Sequence, residues 1–260
     1  QQYGKYADER GRPFADLVSR IRAEAPSQVV DLGCGPATLT VTLLDRWPGA
    51  AVHGVDSSAE MIAEANKLAN DRLTFEVADL REWIKKAGKE SVEVIVSNAT
   101  LQWLPDQMEL LPGLVDRLRP GGWLAIQIPG NVDAPLHAFL RELAHRAPYA
   151  EHAADVALRP ELPDPSDYLD ALSAVGCEVD AWETTYSHVL QGENAVLEWV
   201  KGTGARPVLQ ALPEDLREQF ETEYGAILAE VHPRRSYGTV LPFRRVFAVA
   251  HKPVGPEQES

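Results

Sequence analysis

Nine residues, Val29-Val30-Asp31-Leu32-Gly33-Cys34-Gly35-Pro36-Ala37, constrain this chain more than any others. The apolar run from Gln28 to Leu32 reads as a buried strand that breaks into a Gly-x-Gly turn, with a helix-like segment over residues 38–46. Glycine at 33 and 35 permits a tight turn with unusual backbone angles, and it lets a ligand approach the main chain without meeting a Cβ. The amides that open the following helix then face whatever lies beyond the strand end. This order of elements predicts a cofactor-cradling loop at the edge of an α/β sheet.

The ligand is narrowed by what flanks the turn. A dinucleotide fingerprint, Gly-x-Gly-x-x-Gly, is incomplete because Thr38 occupies its last glycine position. An NAD-dependent oxidoreductase is therefore disfavoured. Three acids stand out instead. Asp31 precedes the turn, Asp56 ends the apolar run over 51–56, and Asp79 ends the run over 73–79. A carboxylate at a second strand end accepts hydrogen bonds from ribose hydroxyls.

Those positions together resemble class I S-adenosylmethionine-dependent methyltransferases over residues 28–130. The resemblance implies that Asp31, Gly33, Cys34 and Gly35 hold the methionine part of the cofactor, that Asp56 holds the ribose, and that Asp79 meets the adenine amine. Ser57, Met61 and Leu80 belong to the same implied pocket, Asn98 is a candidate for the methionine part, and the N-terminal helix caps it together with Tyr3 and Arg12. Ala37 stands where that family often has a third glycine, and little consequence is expected of so small a side chain. Cys34 is expected to be a small packed residue rather than a nucleophile.

At 260 residues with 45% hydrophobic side chains, the chain has enough apolar surface for one large domain or one carrying an insertion. No apolar run approaches 18 residues, so no transmembrane helix and no membrane partner is expected. The start of the sequence carries no apolar signal-peptide core. Only Cys34 and Cys177 are present, which implies neither a metal cluster nor a disulfide framework and suits a cytoplasmic location. A net charge of −14 disfavours a nucleic-acid partner. Against that background, Arg234, Arg235, Arg244, Arg245 and Lys252 form one stretch without an acid, suited to presenting cations to a small anion.

Periodicity supplies the remaining elements. Apolar spacing predicts a helix over 8–25, and Ser57-x-x-Glu60 reads as a capping box for a helix burying Met61, Ile62, Ala65 and Leu68. Strands are expected over 91–97 and 123–129, with a helix broken at Pro105-Asp106 between them and Arg119-Pro120-Gly121-Gly122 as a turn. Residues 147–166, rich in proline, alanine and acid, read as a connection that can act as a mobile lid. A short helix over 167–174, a long strand over 178–190, helices over 193–231 interrupted at 202–207, and a closing strand over 243–251 complete the chain. The expected fold is a Rossmann-like, mainly parallel seven-stranded sheet with helices on both faces and an antiparallel last strand. It forms a single domain, with 28–130 as the cofactor core and 147–166 and 191–241 as substrate-covering insertions. A monomer is expected.

Two stretches carry the acceptor chemistry. Asn98-Ala99-Thr100-Leu101-Gln102-Trp103 follows a strand end, where open α/β sheets place ligands. Trp103 reads either as a wall for a sulfonium or as a core aromatic. Glu198 to Pro207 places Lys201 and Arg206 around a glycine-punctuated turn, as an anion cradle requires. With these, nearly the whole chain resembles the members of the class that esterify one carboxylate of a small tricarboxylic acid. Lys201, Arg206, Tyr237, Arg244 and Trp103 are the implied substrate contacts. Such a carboxylate is already ionised at neutral pH and needs no general base, so no catalytic residue in the acid–base sense is assigned. The histidines, including His53, His137 and His188, read as surface or packing residues. Two alternatives remain: a methyltransferase for another acid, such as a carrier-bound malonyl thioester, and a cofactor-binding module without turnover.

Overall fold

The computed structural model describes residues 7–157 and 161–255, with side chains from Gly11 onward in the first helix. Seven strands, β1 (Gln28–Leu32), β2 (Ala51–Asp56), β3 (Leu73–Val77), β4 (Val92–Asn98), β5 (Leu118–Pro129), β6 (Glu178–Leu190) and β7 (Thr239–His251), form one sheet. Their order is β3-β2-β1-β4-β5-β7-β6. The pairs β1–β2, β1–β4, β2–β3 and β4–β5 are parallel. The last strand reverses: Gly121 N donates to Lys252 O and Gly130 N to Arg244 O, so β7 runs antiparallel to β5. Strand order turns back at β1, which leaves the ligand-binding crevice of an open α/β sheet at its C-terminal end. Val29, Val30, Asp31 and Leu32 are all buried, as befits a strand covered on both faces.

Several element boundaries differ from the sequence expectation. The first helix, α1 (Ala7–Ser19), stops six residues before position 25. After the glycine turn the chain makes further turns, and α2 (Thr42–Arg46) begins four residues after position 38. Ala37 sits at φ 62°, and a left-handed residue there keeps the helix from starting. The cap of α3 (Ala59–Ala65) is Ser58 rather than Ser57: Met61 N donates to Ser58 Oγ at 3.3 Å. Ile62 and Ala65 are buried as expected, but Leu68 is 43% exposed and Met61 only half-buried. Residues 119–122 do not form a separate turn. They lie inside β5 at a register irregularity opposite Val92 and Val94. The supposed connection over 147–166 contains α7 (Ala150–Ala157), preceded by α6 (Pro135–Ala144), which periodicity had not singled out.

The chain divides into two units. The first holds residues 7–128, 163–183 and 246–255, and with them the glycine turn and all three acids. Its core is built from strand residues and from Leu43, Trp47 and Leu111, each at most 1% exposed. Burying one such side chain stabilises the fold by about 1.5–3 kcal/mol. Trp47 also satisfies its indole N–H on Ala23 O at 2.9 Å. Here α4 (Leu80–Lys86) and α8 (Pro165–Ala174) both pack on α5 (Gln107–Arg117). Tyr168 OH donates to the buried Gln107 Oε1 at 2.7 Å.

The second unit holds residues 129–157, 161–162 and 184–245. It contains α6, α7, α9 (Ala195–Lys201), α10 (Arg206–Ala211) and α11 (Glu214–Val231), so the helical segment expected before the last strand is present. Leu136, Leu140 and Leu143 line the buried side of α6 at helical spacing. Tyr224 of α11 donates its hydroxyl to Leu136 O at 2.8 Å, and Phe220 meets Tyr149 edge-on at 4.9 Å. The first contact fixes α11 against α6, and the second fixes it against the segment that leads into α7.

Candidate cofactor and substrate sites

Backbone geometry explains the two glycines. Gly33 has φ 78°, and a Cβ there would lie 2.0 Å from Thr100 Oγ1. Gly33 N and Cys34 N both donate to Val55 O, at 2.7 and 3.1 Å, which locks the turn onto β2. Gly35, at φ 55°, differs: a Cβ on it would meet nothing within 4 Å, so the chain there borders open space. Ala37 shares the left-handed conformation and is fully buried. The glycine it replaces would relieve backbone strain, so the substitution is not without consequence, contrary to expectation.

The acids divide their work. Asp31 is 3% exposed and accepts the Thr40 hydroxyl at 2.6 Å, a partner nine residues away that spacing did not reveal. Burial pushes its carboxyl up to about 6, with the nearby Asp56 charge adding to this and the Thr40 bond opposing it. Asp56 accepts Gly35 N on Oδ2 and Ser58 N on Oδ1, each at 2.9 Å. It thereby ties the glycine turn to the start of α3 and keeps further lone pairs for a ligand. Asp79 caps α4 by accepting Arg81 N at 2.8 Å, and its carboxylate is nearly half exposed. Arg81 in turn binds Asp106 through Nε at 2.8 Å and through Nη2, a brace the sequence did not disclose. Burial, followed by the charges of Asp31 and Asp56, raises the Cys34 thiol far above its ordinary range, which agrees with a packed residue and not a nucleophile.

At the end of β4, Ala99 has φ 55°, and the Thr100 hydroxyl lies 3.2 Å from Asn98 O and 3.4 Å from Gly33 O. Asn98 Oδ1 is buried without a hydrogen-bond partner. Trp103 is 70% exposed, so the core-aromatic reading is excluded and an exposed aromatic beside the strand end remains. Ser57 and Arg12 are exposed, Leu80 is buried, and Tyr3 lies outside the described residues. Open space at Gly35, an unpaired acceptor on Asn98 and carboxylates on Asp56 and Asp79 fit S-adenosylmethionine, which carries an ammonium, a ribose diol and an adenine amine.

The substrate-contact candidates lie in the second unit, apart from Trp103 in the first. Arg206 is exposed at the first position of α10 and has no ion pair with another described residue. Arg244 Nη1 donates to Gly130 O at 3.0 Å. Tyr237 is 52% exposed, and its hydroxyl accepts from Arg235 at 3.1 Å. Lys201 is less available than expected, because Glu221 lies 2.8 Å and Glu198 3.3 Å from its Nζ. The Glu221 bond chiefly raises its pKa. The glycine of Gly202-Thr203-Gly204 has its own reason: a Cβ on Gly204 would lie 2.4 Å from His137 Cε1. Nor does the basic C-terminal stretch act as one face. Lys252 is drawn to Leu118 O at 2.8 Å and to Glu90 at 3.5 Å within the first unit. His188 is a packing residue, stacked on Trp199 at 5.4 Å. Among the described residues no group of three His, Cys, Asp or Glu side chains is placed to share a metal ion, and no helix is long and apolar enough to cross a membrane.

Comparison with known proteins finds similar sequences and similar folds. A family described as a methyltransferase domain matches residues 29–122. A trans-aconitate 2-methyltransferase of Streptomyces avermitilis is 49% identical, with 96% of this chain and 95% of that protein covered. The YcgJ protein of Bacillus subtilis shares the fold with a TM-score of 0.62 at 14% identity, over 94% of this chain and 99% of that one. A Haemonchus contortus phosphoethanolamine N-methyltransferase solved with S-adenosyl-L-methionine also shares it, with a TM-score of 0.54 at 18% identity, over 93% of this chain and 52% of that one.

Proposed function

The chain belongs to the trans-aconitate 2-methyltransferase family of S-adenosylmethionine-dependent enzymes, and we propose that it esterifies one carboxylate of trans-aconitate, or of a closely similar tricarboxylic acid, to the monomethyl ester. The observation that carries this reading is the extent of the likeness. Identity of 49% runs over 96% of the chain, far beyond the 29–122 segment common to methyltransferase domains, and so includes the helical unit.

When bound, the cofactor supplies an electrophilic methyl group on a sulfonium. The Gly33–Gly35 turn, Asp56, Asp79 and Asn98 are the groups that would hold it. The acceptor carboxylate is ionised at neutral pH, so the protein has no proton to remove and its task is alignment for a direct displacement. Arginine suits bidentate contact with carboxylates, yet a close arginine pair would lower the nucleophilicity of the attacking one. Arg206, Arg244, Tyr237 and, with its ammonium already shared, Lys201 are therefore assigned to the carboxylates that are not methylated. Exposed Trp103 is assigned to the sulfonium side.

Labelled S-adenosylmethionine incubated with a panel of di- and tricarboxylic acids, with mass detection of the ester, tests this. Transfer to trans-aconitate in preference to cis-aconitate and citrate is the expected result. A protein that binds the cofactor and methylates no small acid would retain its class and lose the proposed substrate.

A further inference from the structure

Strand register places a second amide beside Asn98. Asp56 pairs with Val77 and Asn98 with Gln127. Asp31 pairs with Gly54 on one side and Val96 on the other. Two residues further along β1, Gly33 then falls between Asp56 and Asn98. Partners across a parallel ladder project to the same face of the sheet. Asp56, Asn98 and Gln127 thus form one row along the C-terminal edge, all within the first unit.

Gln127 is 1% exposed, and its Nε2 has no hydrogen-bond partner. The neighbouring Asn98 Oδ1, an acceptor, is also unpaired. Two amides on adjacent strands thus leave a donor and an acceptor without partners. Buried polar groups without partners are costly and rare in folded proteins, and a ligand is one explanation for them.

Distance along the row separates the possible ligands. Neighbouring strands lie about 4.8 Å apart, so Gln127 on β5 stands about 14 Å from the strand of Asp56 and one strand past Asn98. Asp56 and Asn98 are already assigned to the ribose and the methionine part. A donor one strand further from the turning point of the sheet is suited to a carboxylate, and a neutral amide is the appropriate donor for one that must stay nucleophilic. It orients the group while withdrawing less charge than a guanidinium would. We propose that the Gln127 side-chain amide contacts the acceptor acid and holds the attacking carboxylate through the oxygen that is not methylated. The free oxygen then forms its bond to the methyl carbon as the carbon–sulfur bond breaks and its electron pair leaves on sulfur. No proton moves. This assignment rests on the carboxylate-methyltransferase reading.

Calorimetry on the full chain tests it, with S-adenosylhomocysteine and trans-aconitate as the probes, beside steady-state kinetics. Gln127→Met keeps length and removes the donor. It should lower kcat/KM for the acid by about 10- to 100-fold and weaken acid binding to the S-adenosylhomocysteine-loaded protein. Cofactor affinity should stay within about twofold, since the lost donor is not assigned to it. Thermal stability should not fall, because an unpaired buried amide is removed. Gln127→Glu, nearly isosteric, should bind the acid more weakly still by charge repulsion. If cofactor affinity falls by that factor and acid binding does not, the carboxylate held is that of the methionine part and the proposal is overturned. Unchanged binding of both, or lost stability alone, would make Gln127 a packing residue. A wild-type protein that binds S-adenosylhomocysteine but no acid would instead overturn the substrate reading, and this assignment with it.

Discussion

Asp56 and Gly35 are joined by a 2.9 Å hydrogen bond from the glycine amide to the carboxylate, and the second oxygen of Asp56 holds Ser58 N at the same distance. One side chain thus orients both the cofactor turn and the first turn of α3. Asp56→Ala should destabilise the protein by about 2 kcal/mol, because two amides lose a charged acceptor. It should also weaken S-adenosylmethionine binding at least about tenfold, as one charged hydrogen bond is worth that much or more. Urea unfolding and calorimetry measure the two effects. Unaltered cofactor affinity would remove Asp56 from the site.

Thr100 occupies the space a side chain at Gly33 would need. Gly33→Ala should cost about 3 kcal/mol, combining left-handed strain with overpacking. Adding Thr100→Gly should recover the overpacking share and leave the strain. A double-mutant cycle should then report a coupling of about 1 kcal/mol or more. Strict additivity would mean that the two residues do not meet.

The buried Asp31 makes a pH prediction. Its folded pKa of about 6 lies above its ordinary 3.8, so the folded state holds the proton more tightly than the unfolded chain does. Stability from this group is present below about pH 4 and is lost as pH rises to about 6, an effect of up to about 3 kcal/mol. Asp31→Asn, which can still accept from Thr40, should gain stability relative to wild type across that interval. A constant difference between the two unfolding curves would refute the assignment. A cationic cofactor favours the charged carboxylate, so wild-type affinity for S-adenosylmethionine should climb through pH 6 and then level. Saturated kcat should stay flat between about pH 6 and 8, as no base is required.

Arg206 and Lys201 should behave differently. Arg206→Ala removes a cation with no ion pair among the described residues. It should raise KM for the acid about tenfold or more while cofactor affinity holds, the ordinary consequence of losing a charged anchor. Lys201→Met removes an ammonium already held by Glu221 and Glu198. Its KM effect should stay below about threefold, with a stability loss near 1 kcal/mol. Equal loss of acid and cofactor affinity in Arg206→Ala would make that residue structural.

Local patterns in the sequence determined a good deal. The bounds of β1 and β2 follow from apolar runs closed by glycine or acid, a pattern carried by consecutive residues. The break between α9 and α10 is legible for the same reason, in Gly202 to Pro207. The positions of Asp31, Asp56 and Asp79 at or near successive strand ends were sufficient to name the cofactor class. Only the tertiary structure decided how those acids are used. Asp31 is turned inward to Thr40, Asp79 caps a helix, and Ala37 is forced into a left-handed conformation. It also paired Lys201 with Glu221, left Trp103 exposed, and set Gln127 beside Asn98. Those facts depend on strand order and register, which bring together residues tens of positions apart. Periodicity along one segment carries no information about what the neighbouring segment places opposite it.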